Sequence, residues 1–317
     1  MLPEGGILRK RVKKELSVSI VIPTYNRKNK VMRLLDSIFN SNYSNFEIIV
    51  IDDASTDGVY EELRKAFPKT KVIRNLNEKL PSMCRNIGIK NSKGELIFFI
   101  DDDNVVQKMT LRELAFALEN SDEIGLVGPV MYYYTDPKRI WCAGAKLNKF
   151  FFTHTHLLED EIDNGSLRNP FECDYIPNAY MAKREVLEKV GVFDNVSFPQ
   201  AFEEIDLAER VRRAGYKIVV VPTATVWHDI PPSIDKPHRP SKTRSYLRGR
   251  SRVIFYRKYA RWRISLVMFD ILYFCSKKLL YHISFKDKIT TIHYYIKGVL
   301  DGFGVSIKGL WRVRLES

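Results

Sequence analysis

Short apolar runs alternate with stretches of helical periodicity between residues 17 and 130. In the first of these stretches, Val31, Leu34, Leu35 and Ile38 fall on one helical face. Strands separated by helices of about 10 to 15 residues are typical of parallel β-α-β units, with helices on both faces of the sheet. The pattern therefore predicts an α/β fold with a mostly parallel central sheet. Its predicted strands are residues 18–22, 47–51, 71–74, 96–100 and 124–130.

The pattern is less regular from residue 131 to the C-terminus. Tyr, Phe and Trp are scattered among turns up to residue 200, with a hairpin predicted near 140–158. Beyond the proline-rich loop at 229–241, basic and aromatic helices are predicted to the end of the chain. Between these two regions we predict a helix over 203–214 that stops at Gly215, a strand over 217–221 that ends at Pro222, and a short extended piece over 225–227.

Composition narrows the class of protein. The 317 residues are 45% hydrophobic and 28% charged, which excludes a mostly disordered chain and allows a full core. The four cysteines lie far apart, which argues against a disulfide framework or a zinc site and indicates a reducing compartment. We expect no secretory signal in residues 1–14 and no spanning helix, because the best candidate, 264–285, contains Asp270, Lys277 and Lys278.

The positive charge is concentrated near the C-terminus. Residues 236–317 hold 19 of the 51 Lys and Arg residues but only 4 of the 38 Asp and Glu residues. Arg244, Arg248 and Arg252 are four apart and share one helical face, among many aromatic residues. Such a helix is typical of the interface of an anionic membrane. The alternative is a helical appendage that packs on the core with its charges in solvent.

Polar and acidic residues follow three of the predicted strands. The carboxyl ends of parallel strands share one edge of the sheet, where ligands bind in such folds. The pattern therefore predicts a ligand site at this edge. The residues concerned are Pro23, Thr24, Tyr25, Asn26, Asp52, Asp53, Asp101, Asp102, Asp103 and Asn104.

Three adjacent carboxylates, Asp101, Asp102 and Asp103, favour a bound cation because they repel one another. Oxygen ligands of this kind suit Mg²⁺ or Mn²⁺, which also bind substrate phosphates. The alternative is a helix N-cap, which needs only one of these side chains. Asp53, also at a strand end, can accept hydrogen bonds from a nucleobase or a sugar, although capping is again the alternative.

Glu203, Glu204 and Asp206 open the late helix. Acidic residues in a first turn are favoured by the helix dipole, so a structural role is one interpretation. The apolar neighbours of these residues, such as Phe198 and Phe202, provide the other. Burial among them would raise the pKa of a carboxylate and make it a better base near neutral pH.

The histidines give two different predictions. His228 ends a strand just before the proline-rich loop, where a metal ligand and a structural residue are both reasonable interpretations. His154 and His156 are two apart and would share a strand face. For this pair we favour a solvated hairpin over a metal site.

Six segments and two single residues together resemble the inverting family 2 glycosyltransferases of the GT-A fold. This resemblance covers residues 17–230. It implies a Rossmann-like sheet with flanking helices, and the predicted basic C-terminal helices lie mostly outside it. The segments are 18–26, 49–57, 85–88, 100–103, 191–194 and 203–207, joined by Arg210 and Gly215.

The resemblance also implies roles for individual residues. The donor is a nucleotide-diphosphate sugar, and Asp101 with Asp103 would form the D-x-D motif that holds Mg²⁺ or Mn²⁺. Glu204 stands where the catalytic base is usually Asp, so the base remains open among Glu204, its neighbour Glu203, and Asp206. The residues implied to hold the nucleotide are Pro23, Thr24, Tyr25, Asn26, Asp53, Arg85, Asp101 and Asp102, and His228 matches a metal-contacting histidine.

We therefore divide the chain into a basic extension (1–16), a GT-A domain (17–230) and a proline-rich loop with basic membrane-associating helices (231–317). We expect metal-dependent inverting transfer to a glycan or a polyprenyl-phosphate-linked acceptor. The location would be the cytoplasmic face of the cell membrane. The alternatives are a nucleic-acid-binding protein, an inactive scaffold of the same fold, and a nucleotidyltransferase or glycosidase. We expect no nucleic-acid partner, since the acidic sheet edge would repel a polyanion.

Overall fold

A computed structural model describes residues 15–148, 153–230, 242–260, 263–280 and 285–304. Among these residues, ten strands form one mixed sheet in the order β10-β12-β6-β11-β4-β1-β2-β3, with β5 on β12 and β7 on β6. Strands β8 and β9 pair separately. The strands are β1 (Val18–Thr24), β2 (Phe46–Asp52), β3 (Lys71–Arg74), β4 (Leu96–Ile100), β5 (Asn104–Val106), β6 (Ile124–Tyr133), β7 (Asp136–Cys142), β8 (Ala145–Leu147), β9 (His154–His156), β10 (Phe171–Glu172), β11 (Ala179–Lys183) and β12 (Lys217–His228).

Parallel pairing joins β1 to β2 and β4, β2 to β3, and β6 to β12, as the pattern of strands and helices predicts. All five residues of β4 are buried, as expected of a strand covered on both faces.

The helices pack on the sheet or form the C-terminal region. They are α1 (Lys28–Phe39), α2 (Val59–Ala66), α3 (Leu80–Lys90), α4 (Thr110–Glu119), α5 (Arg184–Val190), α6 (Glu203–Arg213), α7 (Lys242–Tyr259), α8 (Arg263–Leu280) and α9 (Phe285–Gly304).

One strand is longer than its sequence predicts. Pro222 was expected to end the strand that starts at Lys217, but β12 continues to His228. The register of β12 against β6 shifts between Val221 and Thr225. An irregularity of this kind accommodates a proline, which has no N–H to give to the ladder. The extension matters because it carries His228 to the rim of the sheet.

The C-terminal helices pack on the rest of the protein. Helix α7 crosses α9 so closely that a Cβ at Gly298 would lie 2.0 Å from the carbonyl oxygen of Tyr246, and one at Gly249 only 2.3 Å from that of Tyr295. Arg250 donates hydrogen bonds to the carbonyl oxygens of Ser197 and Val196, at 3.0 and 3.2 Å. Helix α7 is therefore bound to the loop that leads into α6.

The arginine stripe on α7 is only partly buried. Arg252 is buried, and its Nη2 atom lies 2.6 Å from Asp270 on α8. Arg244 and Arg248 line a cleft that is described below. Helix α7 thus packs on the protein, with Arg244 and Arg248 exposed along the cleft and Arg252 buried. Outward-facing apolar side chains lie instead on α8 and α9: Met268, Phe269, Leu272, Tyr273, Ile289, Leu300 and Phe303.

No helix in the described part of the chain combines the length and the apolar character that a bilayer crossing requires. The basic N-terminal extension lies outside the described residues, apart from Glu15 and Leu16. The proline-rich loop at 231–241 also lies outside them.

Candidate active site

A cleft of about 980 Å³ opens at the carboxyl ends of β1, β2 and β4. Its position matches the edge at which the strand pattern predicts a ligand site. The C-terminal helices form part of its wall. Of the predicted site residues, the cleft is lined by Pro23, Thr24, Tyr25, Asp53, Arg85, Asp101, Asp102, Asp103, Glu203, Glu204 and His228.

Arg85 joins the carboxylates on one side of the cleft. It lies on α3, is 2% exposed, and has Nη2 2.8 Å from Asp101 Oδ1. The same guanidinium lies 3.1 Å from Glu203 Oε1 and 3.3 Å from Glu204 Oε1. One buried cation thus faces three carboxylates, and its charge offsets only part of theirs.

Burial and, after it, this excess of negative charge set the protonation of Glu204. Burial, together with the charges of Glu203 and Asp101, raises the pKa of Glu204 to about 8 against the opposing charge of Arg85. Burial also raises the pKa of Glu203. The backbone N–H of Asn178 donates to Glu204 Oε1 at 3.0 Å and fixes this oxygen. A carboxyl group with a pKa near neutrality has the property that a general base requires.

Asp102 and Asp103 face Arg27 on the other side of the cleft. Arg27 Nη1 lies 2.9 Å from an oxygen of each carboxylate, and Thr24 donates its hydroxyl hydrogen to Asp102 at 2.7 Å. Burial raises the pKa of Asp102 to about 6, against the charge of Arg27. Burial opposes ionisation of Asp103 too, but its contact with His228 and the charge of Arg27 lower its pKa to about 2. Asp103 is therefore an anion at every physiological pH.

His228 meets Asp103 because β5 pairs with the end of β12. In that pairing Asn104 lies opposite His228, and His228 Nε2 lies 3.3 Å from Asp103 Oδ1. The same nitrogen is 3.3 Å from the side-chain amide of Asn178. Trp141 packs edge-on against the imidazole, with the ring centres 4.3 Å apart.

These contacts bring together two of the three predicted metal ligands. Asp103 and His228 are neighbours, whereas Asp101 turns to Arg85. Within the described residues, no three His, Cys, Asp or Glu side chains are grouped so that they could hold a metal ion. A cation here would therefore take part of its coordination from a ligand such as a diphosphate, as Mg²⁺ commonly does.

The predicted nucleotide side of the cleft is built on Asp53. Its Oδ1 accepts hydrogen bonds from the Asn75 side chain and the Lys79 backbone, both at 2.8 Å, and its Oδ2 accepts one from Leu80 N–H at 2.9 Å. Asp53 thus holds the segment that leads into α3. Tyr25 is exposed in the cleft. Asn26 instead accepts a hydrogen bond from the backbone of Thr56 at 2.8 Å and lies outside the cleft lining.

Asp206 is on α6 but not in the cleft. It is fully buried, and its carboxylate lies 2.9 Å from Arg210 Nε and 2.7 Å from Lys258 Nζ. The hydroxyl of Tyr259 donates to it at 2.7 Å. Lys258 and Tyr259 join α7 to α6, and these contacts give Asp206 a structural role in this arrangement.

Several residues that line the cleft were not predicted from the sequence as site residues. Arg27 directly follows the polar end of β1, which is a signal that could have marked it. Asn178 has no comparable local signal, because it reaches the site through an antiparallel strand. His154 and His156 do lie in a hairpin, β8–β9, but the prediction that they are solvated is wrong. They are half-buried and line the cleft near Tyr175 and Trp141.

The sheet topology and the acidic cleft define an α/β protein of the GT-A fold class. The sequence model of glycosyl transferase family 2 matches residues 19–191, more than half of the chain. The chain therefore belongs to glycosyl transferase family 2.

Curated relatives match over different lengths. An uncharacterized glycosyltransferase of Haemophilus influenzae is 36% identical over 110 residues, covering 35% of this chain and 37% of that protein. The probable glycosyltransferase YdaM of Bacillus subtilis is 26% identical over 277 residues, covering 84% of this chain and 63% of that protein. The poly(ribitol-phosphate) beta-glucosyltransferase of Bacillus spizizenii is 37% identical over 118 residues, covering 35% and 19%. The chain thus spans less than two-thirds of the length of each of these relatives.

Two solved structures share the fold. GalNAc-T7, solved with UDP, GalNAc and Mn²⁺, superposes with a TM-score of 0.58 at 18% identity, covering 76% of this chain and 50% of that chain. The mannosyltransferase PcManGT from Pyrobaculum calidifontis, solved with GDP-Man and Mn²⁺, has a TM-score of 0.55 at 16% identity, covering 91% and 87%. At these identities the likeness shows the fold.

Proposed function

We propose that this protein moves a sugar from a nucleotide-diphosphate sugar to an acceptor hydroxyl, with inversion at the anomeric carbon. The observation that carries the proposal is that one cleft contains Asp103, His228 and Glu204. Family membership supports the same reaction type. Inverting transfer needs two functions in one cleft: charge stabilisation at the leaving group and a base at the acceptor.

The donor set fits a divalent cation. Asp103 Oδ1 is buried without a hydrogen-bond partner among the described residues, and His228 Nε2 lies beside it. A carboxylate and an imidazole together suit Mn²⁺, and the carboxylate also suits Mg²⁺. Asp103 and His228 would hold the ion together with the diphosphate. When bound, such an ion offsets the charge that develops on the departing nucleoside diphosphate.

Glu204 is the base we propose. Its carboxyl group lies in the cleft, its pKa is raised by burial, and Asn178 N–H fixes one of its oxygens. In the ionised form it accepts the proton of the acceptor hydroxyl as the hydroxyl oxygen attacks. The positive charge of Arg85, which contacts both Glu203 and Glu204, offsets part of the negative charge in the cleft.

The nucleotide would lie on the side of the cleft formed by the ends of β1 and β2. Thr24, Tyr25 and Asp53 line it, and Asp102 lies next to Thr24. The hydrogen bonds that Asp53 accepts from the 75–80 segment support a role in shaping this pocket. Two structural neighbours were solved with nucleotides and Mn²⁺, which supports a nucleotide-sugar donor.

The acceptor would be a glycan or a polyprenyl-phosphate-linked sugar at the cytoplasmic face of the membrane. The apolar side chains that α8 and α9 expose support contact with a membrane surface. A nucleic-acid partner is less well supported, because Arg250 and Arg252 are buried in contacts within the protein.

A screen of nucleotide sugars tests the proposal. The protein is incubated with UDP-, GDP- and dTDP-sugars in Mg²⁺, in Mn²⁺ or in EDTA, and release of the nucleoside diphosphate is followed. Slow hydrolysis of one donor group, lost in EDTA, is the expected result. Absence of both hydrolysis and metal-dependent nucleotide binding for every donor would refute the transferase function and favour the inactive scaffold.

A further inference from the structure

The cleft continues from the acidic residues into a corner between the three C-terminal helices. We call this the helical corner. It lies in the same cleft as Glu204, so a molecule that fills the cleft can contact both. The helical corner is formed by Arg244, Ser245 and Arg248 of α7, Phe274 of α8 and Thr291 of α9.

Arg248 is a solvent-exposed cation in this corner and makes no ion pair with the described residues. Among the residues that the structure covers, no carboxylate lies within ion-pair distance of it, whereas Arg252, one turn later, is 2.6 Å from Asp270. The guanidinium carbon of Arg248 lies 5.8 Å from the ring centre of Phe274. Desolvation by the surrounding helices, together with the charges of Arg252 and Arg244, lowers the pKa of Arg248 against the opposing charges of Tyr295 and Asp270. An anion in the corner would relieve this repulsion.

The buried hydroxyl group of Thr291 indicates a ligand in the helical corner independently of Arg248. Its side chain is 4% exposed, and its hydroxyl oxygen has no hydrogen-bond partner among the described residues. Buried hydroxyl groups are nearly always hydrogen-bonded, so a group without a partner requires an explanation. A bound ligand with acceptor oxygens would satisfy it.

We propose that the helical corner binds a phosphate group of the acceptor. Arg248 and Arg244 offset its charge, and the hydroxyl of Thr291 donates a hydrogen bond. A phosphate fits better than a carboxylate, because its oxygens can bind two guanidinium groups and a hydroxyl at once. This inference rests on the proposed function and specifies its acceptor. The phosphate could belong to a lipid carrier or to a polyol-phosphate chain, and the shared chemistry is a phosphate ester.

The test measures binding of two phosphate probes to the full chain. Farnesyl phosphate represents the lipid source and ribitol 5-phosphate the polyol source, with farnesol and ribitol as uncharged controls. Titration calorimetry is performed with Mn²⁺ and saturating UDP or GDP, which occupy the donor side. The variants are Arg248→Gln, Arg248→Lys and Thr291→Val. Arg213→Gln, an exposed arginine of α6 paired with Glu209, is the matched control.

The expected result is binding of at least one phosphate probe and of neither uncharged control. We expect affinity to fall about 10-fold to 100-fold in Arg248→Gln, since hydrogen bonds to charged groups contribute this much. The loss should be smaller in Arg248→Lys and about 10-fold or less in Thr291→Val, and Arg213→Gln should bind as the wild type does. The probe that binds identifies the source of the phosphate.

Two outcomes overturn the inference: the wild type binds neither phosphate probe, or it binds them as tightly after Arg248→Gln as before. The wild type's metal-dependent binding of UDP or GDP is recorded in the same experiment and tests the transferase function separately. If nucleotide binds but the affinity for the phosphate probes does not depend on Arg248, only the proposed phosphate site in the helical corner is refuted. If no nucleotide binds, the transferase proposal fails, and titration of the probes without nucleotide still tests the corner.

Discussion

Asp103 Oδ1 lies 3.3 Å from His228 Nε2, in a contact that two strands of the central sheet create. Asp103 directly precedes β5, and His228 is the last residue of β12. A sheet fixes such a pair more firmly than two loops would, because the ladder sets the register. The cation that we propose would therefore meet a rigid pair of ligands in the cleft.

Replacing Asp103 with Asn should abolish metal-dependent nucleotide binding. The amide keeps the shape of the side chain but removes the charge that a divalent cation requires. We expect the affinity for UDP or GDP in Mn²⁺ to fall at least about 10-fold, as measured by titration calorimetry. The matched control is Asp122→Asn, at a side chain fully exposed to solvent. Unchanged nucleotide affinity in a folded Asp103→Asn protein would remove the metal assignment.

Glu204→Gln tests the base. The variant should bind the donor nucleotide as the wild type does, because Glu204 faces the acceptor side in our proposal. Donor hydrolysis should fall by about 10² to 10⁴ in kcat, which is the usual contribution of a positioned base. Stopped-time chromatography of the released nucleotide measures this rate. Full activity in Glu204→Gln would move the role to another group, with Glu203 as the next candidate.

Asp206→Asn should affect stability far more than chemistry. Its carboxylate neutralises Arg210 of the same helix and Lys258 of α7, and Lys258 is partly exposed, which reduces the cost of losing its partner. We expect the free energy of unfolding in urea to fall by about 2 to 4 kcal/mol. The hydrolysis rate per folded molecule should fall much less than in Glu204→Gln. A loss of rate equal to that of Glu204→Gln, with stability unchanged, would instead make Asp206 the base.

Local sequence features were sufficient to predict the parallel half of the sheet. The strands predicted at 71–74 and 96–100 coincide with β3 and β4, and the second is a continuous hydrophobic run because β4 is buried along its whole length. The polar ends of β1, β2 and β4 also gave part of the cleft lining: Pro23, Thr24, Tyr25, Asp53, Asp101, Asp102 and Asp103. Family resemblance added Arg85, whose role depends on contacts with Asp101, Glu203 and Glu204 that no local pattern contains.

The C-terminal region shows where sequence patterns stop being informative. A stripe of arginines has the same spacing whether it faces a membrane or a protein cleft, so Arg248 and Arg252 could not be placed from periodicity alone. The close crossing of α7 and α9 depends on Gly249 and Gly298 meeting across two helices. Such a long-range match between helices has no local signature.

The pH dependence of donor hydrolysis should follow the ionisation of Glu204. Below a pH of about 8 its carboxyl group is protonated and cannot accept a proton, so kcat/KM should rise about tenfold per pH unit and level off above that pH. Steady-state rates between about pH 6 and 9 give the profile. Glu204→Gln should lack this rise. A wild-type rate that falls over the same range would indicate that the group acts as an acid.

Membrane contact through α8 should depend on its exposed apolar residues. Leu272 is 67% exposed on this helix, near Met268, Phe269 and Tyr273. Placing a charge there with Leu272→Glu should weaken binding to vesicles of anionic and zwitterionic lipid by about 10-fold or more, because burial of a leucine side chain contributes about 1.5 to 3 kcal/mol. Co-sedimentation with vesicles measures the bound fraction. Glu61→Gln, on an exposed residue of α2 away from these helices, is the control. Vesicle binding unaffected by Leu272→Glu would exclude this face as the membrane contact, and absence of binding by the wild type would refute the peripheral location itself.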